Sequence, residues 1–344
     1  MAVTIKDIAR RAGVSHATVS RALHGSPLIS VATSQRIRQI AAELGYQPSV
    51  AARSLKTNRS QVLGVIVSHI ADPFFSEILQ GIDEVAQQVG YSLFIAASQH
   101  SLERERAIVK TMREHRVDGV IICSTPFSAE QSQLLASYKT PLVVINNQSA
   151  EDYRYSIYHD DLDGSQQVTQ HLLDLGHKRI AYLGSSFSGR TNDQRLSGYK
   201  ERMQAAGLSV PEGFVHGVQA NNPETGRAAV DHFLALPERP TAVFCFNDML
   251  ATGVLRGLRR AGLRVPEDCS VAGFDNITFS AYTNPPLTTF NQPKHEIGIQ
   301  AARLLLELLG PEGESHLRTV RALRGQLLVR ESTMLNQEER SWKR

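Results

Sequence analysis

The sequence predicts an all-α helix-turn-helix head followed by a larger α/β body of two Rossmann-like parallel-sheet subdomains. Three observations predict it. The first 60 residues carry apolar positions at helical spacing, punctuated by glycine. From Gln61 onward, short apolar runs alternate with longer amphipathic stretches, the pattern of helices covering both faces of a parallel sheet. That alternation runs twice, once from Gln61 and again from near Tyr155, so two sheets are expected. A chain of 344 residues, 42% hydrophobic and 21% charged, has the size and composition for such units.

In the head (residues 1–48), Ile5, Ile8, Ala9 and Ala12 fall on one helical face. Thr4, with Asp7 three residues on, has the form of a capping box, and Gly13 suits a left-handed stop. Ser15 caps a second helix whose buried stripe is Val19 and Leu23. A third begins after Ser30, with Ile37, Ile40, Ala41 and Leu44 inward, and ends at Gly45. Two short helices joined by a tight glycine-containing turn and braced by a third describe a helix-turn-helix unit.

That arrangement turns Ser15, His16, Ala17, Ser20 and Arg21 outward. The second helix of such a unit lies in the DNA major groove with its first residues at base edges. Hydroxyls suit phosphates, so Thr18 and Ser20 are read as phosphate contacts, with Thr4, Ser30 and Thr33 completing the set. Arg21 suits the guanine O6/N7 edge, and Ala17 a thymine methyl. His16, Ala17 and Arg21 are the expected readers of sequence. Charge points the same way: residues 1–60 hold nine Lys/Arg against two acids, so they carry +7 and the rest of the chain −4. Charge alone fits a polyanion-binding head or a solvated basic surface equally well.

The stretches TIKDIARRAGVSHATVSRAL and LGYQPSVAARSLKTNRSQVLGVIV resemble the LacI/GalR family of bacterial transcription regulators, and the likeness continues through nearly the whole chain. The resemblance implies a periplasmic-binding-protein-like body and gives the segment 49–60 a role. Too short to hold a helix alone in water, it corresponds to a hinge helix that orders on operator DNA, with Leu55 as a minor-groove wedge. Ala52, Arg53 and Lys56 are the accompanying DNA contacts. A flexible tether is the alternative.

The body is expected over 61–333, with subdomains at roughly 61–160 plus 293–319 and 161–290 plus 320–333, and a polar tail at 334–344. Ligands of such sheets bind beyond the carboxyl ends of the strands. The residues standing there include Phe74 and Phe75, Asn146, Phe246 and Asn247, Asp275 and Gln292, together with Asp193 and Arg195 from a loop. Aromatic faces with carboxylates, amides and an arginine suit a sugar, and the resemblance makes Arg195 and Asp275 the leading effector contacts.

No catalytic residue, metal or cofactor is expected. The first strand runs into SHIADPFF, without a glycine-rich phosphate loop. The acids of HDDLDG are read as helix-start residues, not metal ligands. Three dispersed cysteines, the lack of a secretory signal and the lack of a long apolar run predict a cytoplasmic, nucleoid-associated bacterial protein. The expected function is a sequence-specific repressor, homodimeric on a near-palindromic operator and controlled by a small effector, a carbohydrate by preference. A purine- or nucleoside-responsive regulator and a sugar-binding receptor are the alternatives. Helices over Phe75–Val89 and Val254–Arg260 are the expected dimer face.

Overall fold

The computed structural model describes residues 3–46, 59–123, 140–146, 154–186, 188–311 and 319–336. The chain divides into two units, residues 1–60 and 61–344.

In the first unit, α1 (Ile5–Ala12), α2 (His16–Leu23) and α3 (Val31–Glu43) enclose Ile8, Ala12, Val19, Ala22 and Ile37. Gly13 and Gly45 hold φ of 64° and 65°, where a side chain is strained, so helix ends fall there. The buried positions of α2 are Val19 and Ala22, while Leu23 packs at the margin of the core. Arg36 donates to the carbonyl of Ala12, tying α3 to the end of α1.

The second unit holds two six-stranded sheets. The first is assembled from β1 (Val62–Val67), β2 (Ser92–Ala97), β3 (Gly119–Cys123), β4 (Leu142–Ile145), β5 (Tyr155–His159) and β11 (Thr319–Leu323), in the order β11-β5-β4-β3-β1-β2, all parallel. Leu63, Val65 and Val67 face α4 (Phe74–Gln88) and α10 (Lys294–Leu309), while Ile66 turns to α5 (Leu102–Glu114). This is the period-two alternation of a strand covered on both faces.

The second sheet is assembled from β6 (Ile180–Ser185), β7 (Val215–Val218), β8 (Ala242–Cys245), β9 (Ser270–Asp275), β10 (Thr288–Asn291) and β12 (Gln326–Leu328), in the order β12-β10-β9-β8-β6-β7. Tyr182, Phe244, Phe274 and Phe290 pack beneath α6 (Asp161–Asp174) and α7 (Gly189–Ala205). Val243, Val271 and Leu183 pack beneath α8 (Pro223–Leu234) and α9 (Asp248–Arg260).

Two details differ from the sequence reading. Thr319–Leu323 pairs with β5 along its whole length, so residues 320–323 belong to the first sheet and the crossing falls at Arg324-Gly325. A Cβ on Gly325 would meet the Asn291 carbonyl at 2.4 Å, so the crossing chain needs glycine there. β12 runs antiparallel to β10, so the second sheet is not wholly parallel.

Candidate functional site

On the head, most of the predicted hydroxyls are occupied by helix starts. The Ser15 Oγ accepts the Thr18 N–H at 3.1 Å and lies 2.9 Å from the Thr18 hydroxyl. Ser30 repeats the arrangement with Thr33, at 3.2 and 2.8 Å. The Thr4 hydroxyl and N–H both donate to the Asp7 carboxylate, at 2.6 and 3.0 Å, which holds that carboxyl below its usual range. Ser20 and Thr18 are half-buried, and His24 Nδ1 lies 2.7 Å from the Ser20 carbonyl. His16, Ala17 and Arg21 are exposed. The cap duties therefore separate the predicted set into residues that shape the helices and three that face solvent from α2. Ala52, Arg53, Leu55 and Lys56 lie outside the described residues.

In each sheet of the body, the chain begins at a central strand, fills one side, then reverses to the other. The reversal lies between β1 and β3 in the first sheet and between β6 and β8 in the second. Strand ends splay at such switch points and leave a crevice. A cleft of about 670 Å³ stands there, lined from the first sheet by Ser68, His69, Asp72, Phe74, Phe75, Gln99, His100 and Asn146. The second sheet contributes Ser188, Thr191, Arg195, Gln219, Asn221, Asn222, Phe246, Asn247 and Asp275.

At its floor is a buried charge network. Arg195, 3% exposed, donates from Nε to Asp161 Oδ1 at 2.8 Å and from Nη1 to the Phe246 carbonyl at 2.6 Å. Its Nη1 also lies 3.6 Å from Asp275 Oδ1, and the guanidinium packs over the rings of Phe274 (3.8 Å) and Phe246 (4.5 Å). His159 Nε2 lies 2.8 Å from the same Asp161 oxygen. Burial pushes the Asp161 carboxyl up, but His159 and Arg195 outweigh it and hold it below the usual range. Asp275 goes the other way: burial raises it well above the carboxylate range, against the pull of Arg195. Burial also raises Asp72 on the opposite wall.

The cleft brings together Phe74, Phe75, Asn146, Arg195, Phe246, Asn247 and Asp275 from the predicted effector set. Phe74 and Phe75 pack edge to face, 5.2 Å between centroids. Asn247 spends its side-chain oxygen on capping α9, accepting the Leu250 N–H at 2.9 Å. Two predicted residues lie elsewhere. Asp193 is exposed and does not line the cleft, because its helical position on α7 points away from the face that carries Arg195. Gln292 is buried behind the wall, its Nε2 donating to Asp275 Oδ1 at 2.6 Å, so it supports the carboxylate from the back.

Sequence reasoning set Asp72 at the end of the first strand without naming it an effector contact, and it missed the amides Gln219, Asn221 and Asn222 as well as Asp161. The acids after His159 divide in the structure: Asp160 caps α6 by accepting the Asp163 N–H at 3.0 Å, while Asp161 turns inward to Arg195. Among the described residues no group of three or more His, Cys, Asp or Glu is placed to hold a metal ion. No described helix is long and apolar enough to cross a membrane.

Residues 4–49 match the family model "Bacterial regulatory proteins, lacI family", and residues 169–333 match "Periplasmic binding protein-like domain". The HTH-type transcriptional repressor PurR of Vibrio campbellii is 35% identical over 329 residues, 95% of this chain and 97% of that protein. A lac repressor dimer bound to operator and the anti-inducer ONPF superposes with a TM-score of 0.87 at 28% identity, covering 97% of this chain and 100% of the other. The transcriptional regulator CelR in complex with cellobiose gives 0.73 at 30% identity, covering 96% and 99%.

Proposed function

Since the chain belongs to the LacI family and is a DNA-binding, effector-controlled transcriptional repressor rather than an enzyme, we propose that its effector is a carbohydrate held between the two sheets of the body. The observation that carries this reading is a surplus of acceptors in the cleft. The side-chain oxygens of Asn146 on one wall and Asn221 on the other are buried without a hydrogen-bond partner among the described residues. Asp72 and Asp275 add carboxyl oxygens, also from opposite walls, and a carbonyl oxygen of each can accept even when burial favours the protonated acid. Buried acceptors left unpaired are costly, so the ligand has to supply donors in several directions. A sugar ring carries a hydroxyl on nearly every carbon, whereas a purine offers few N–H groups in one plane. The aromatic pair Phe74–Phe75 belongs to one wall, and Phe246 on the other is engaged by Arg195, so among the described residues the cleft has one free aromatic side, not a two-sided slot. Among the described residues, Arg195 Nη2 has no protein partner and is the donor offered to a ligand hydroxyl.

The purine reading keeps one specific support, the likeness to PurR repressors. A thermal-shift panel of neutral sugars, sugar phosphates and purines on the full chain separates the two. A melting rise with sugars is expected, and a rise only with purines overturns the carbohydrate reading.

DNA reading is assigned to His16, Ala17 and Arg21, with Ser20 and the helix-start hydroxyls Thr4, Ser15, Thr18, Ser30 and Thr33 near phosphates, and with Ala52, Arg53, Leu55 and Lys56 in the linker. The working form is a homodimer on a near-palindromic operator in the bacterial cytoplasm. The similar lac repressor is a dimer on its operator, and the body exposes two aromatic residues on one 3-10 helix, Phe279 and Tyr282.

A further inference from the structure

One buried cation touches both halves of the body. Lys294, the first residue of α10, is 1% exposed. Its Nζ donates to the main-chain carbonyl of Asp275, donates to that of Asn276 at 3.0 Å, and lies 3.4 Å from Glu77 Oε1. Asp275 ends the second sheet's strand β9 and Asn276 follows it, whereas Glu77 is on α4, against the first sheet. An ammonium is strongly hydrated, and burying it is unfavourable unless acceptors replace the lost water. The acceptors here come from both subdomains.

Two features make the contact mechanical. Asp275 and Asn276 have φ of 111° and 50°, a region that non-glycine residues adopt only when surroundings hold them there. That conformation accompanies two successive carbonyls on one ammonium. On the other side, α4 and α10 touch backbone to backbone: a Cβ on Gly81 would meet the His295 carbonyl at 2.2 Å, and one on Gly298 the Ile78 carbonyl at 2.1 Å. The helix that starts with Lys294 is thus locked to the helix that starts with Phe74 and Phe75.

We propose that Lys294, backed by Glu77, is a positioning residue that sets the angle between the two walls of the effector cleft. Asp275 is held from behind by Gln292 at its carboxylate and by Lys294 at its carbonyl, and faces the ligand from the front. A ligand that draws the Asp275 loop forward either pulls α10 and α4 with it or breaks the ammonium contacts. Hinge motions of this kind need a small set of contacts that distinguish two wall angles. The name effector cleft rests on the function proposed above, but the link itself is testable without any ligand, so failure of the ligand panel and failure of this proposal are separate results.

The experiment is pulsed dipolar spectroscopy on the full chain, spin-labelled at Glu103→Cys and Glu224→Cys and diluted into excess unlabelled chain. Both positions are exposed and begin α5 and α8, just after the lining residues His100 and Asn222. Cys123, Cys245 and Cys269 are buried and stay unlabelled. The expected result is one narrow distance population in the parent, broadened and shifted in both Lys294→Met and Glu77→Gln, and restored in Lys294→Arg. Circular dichroism melts establish that each variant is folded. An unchanged distribution in folded Lys294→Met overturns the proposal. Should Lys294→Met not fold, the partly exposed Glu77→Gln decides by the same criterion.

Discussion

Asp248 shows how a buried carboxyl contributes to the pH response of the body. It is fully buried, its Oδ1 accepting the Thr289 hydroxyl at 2.6 Å and its Oδ2 the Ile277 N–H at 2.9 Å. Burial pushes its pKa up to about 7, against those two hydrogen bonds and the pull of Lys294 and Arg330. In the unfolded chain the same group titrates near 3.8. Between these values the folded state binds the extra proton, so this group's contribution to stability falls as pH rises from about 4 to about 7. Asp248→Asn lacks that contribution. The melting advantage of the parent over Asp248→Asn is therefore expected to be larger at about pH 5 than at about pH 8, and an equal advantage at both would show that the carboxyl does not titrate in that window. Such residues mark the limit of what the sequence discloses. Asp275 was legible because it stands at the end of an apolar run, where strand topology places ligands, and Arg195 because the family resemblance singled it out of a polar stretch that folds as α7 rather than as a loop. Asp161 and Lys294 were not, because sequence spacing does not tell which polar side chain of a helix start turns inward to meet a partner over 30 or 200 positions away. Asp193 is the converse case: a carboxylate near Arg195 in sequence but on another helical face.

At the scale of elements, the helix pairs of the body share one device. Glycines stand mid-helix where a neighbouring helix passes: Gly81 and Gly298 between α4 and α10, and Gly226 and Gly253 between α8 and α9. A Cβ at Gly226 would come within 2.2 Å of the Leu250 carbonyl, and at Gly253 within 2.1 Å of the Pro223 carbonyl. Glycine in an exposed helix interior is unfavourable by roughly 0.5–1 kcal/mol relative to alanine, so alanine would ordinarily stabilise. Here the contact reverses the sign. Gly298→Ala is expected to destabilise by about 1–3 kcal/mol through overpacking, read as a lower urea midpoint, and a raised midpoint would refute backbone-to-backbone packing at this pair. The helices themselves were visible in the sequence by periodicity, but the reason for their glycines was not, since a glycine in a helical pattern reads only as a weak helix former until its neighbour is known. The same limit explains the terminal strands. The sequence predicts terminal strands near Thr319–Arg330 that complete the sheets, and only pairing with β5 and β10 shows where one ends and the next begins.

For the molecule as a whole, assembly is the property that joins the two functions. A head that reads a few base pairs gains specificity when two copies meet two half-sites of a near-palindromic operator. The helices expected from sequence to form the dimer face present mostly polar surface, with Val89 at the end of the first as an exposed apolar residue. The outward residues of α4 are Ser76, Gln80, Glu84 and Gln87, and those of α9 are Arg256, Arg259 and Arg260, while Val254, Leu255 and Leu258 pack inward against the second sheet's core. Two exposed aromatic rings stand together at Thr278–Tyr282, where Phe279 is 64% and Tyr282 81% exposed. Residues three apart on a 3-10 helix eclipse one another, so the two rings share one side of the body. We predict that this pair of rings is a protein contact, since clustered apolar exposure is the mark of one, and the contact a symmetric homodimer requires is one patch meeting itself. Replacing both, Phe279→Ser with Tyr282→Asp, removes the apolar surface and sets like charges opposite each other across a two-fold axis. The double variant is expected to sediment as a monomer at concentrations where the parent is a dimer. Its melting in isolation should stay within a few degrees of a parent sample diluted to monomer, because neither side chain contributes to the buried core. Operator affinity should fall with dimerisation while ligand binding in the cleft persists, since no lining residue has changed. A double variant that sediments with the parent would remove this surface from the assembly.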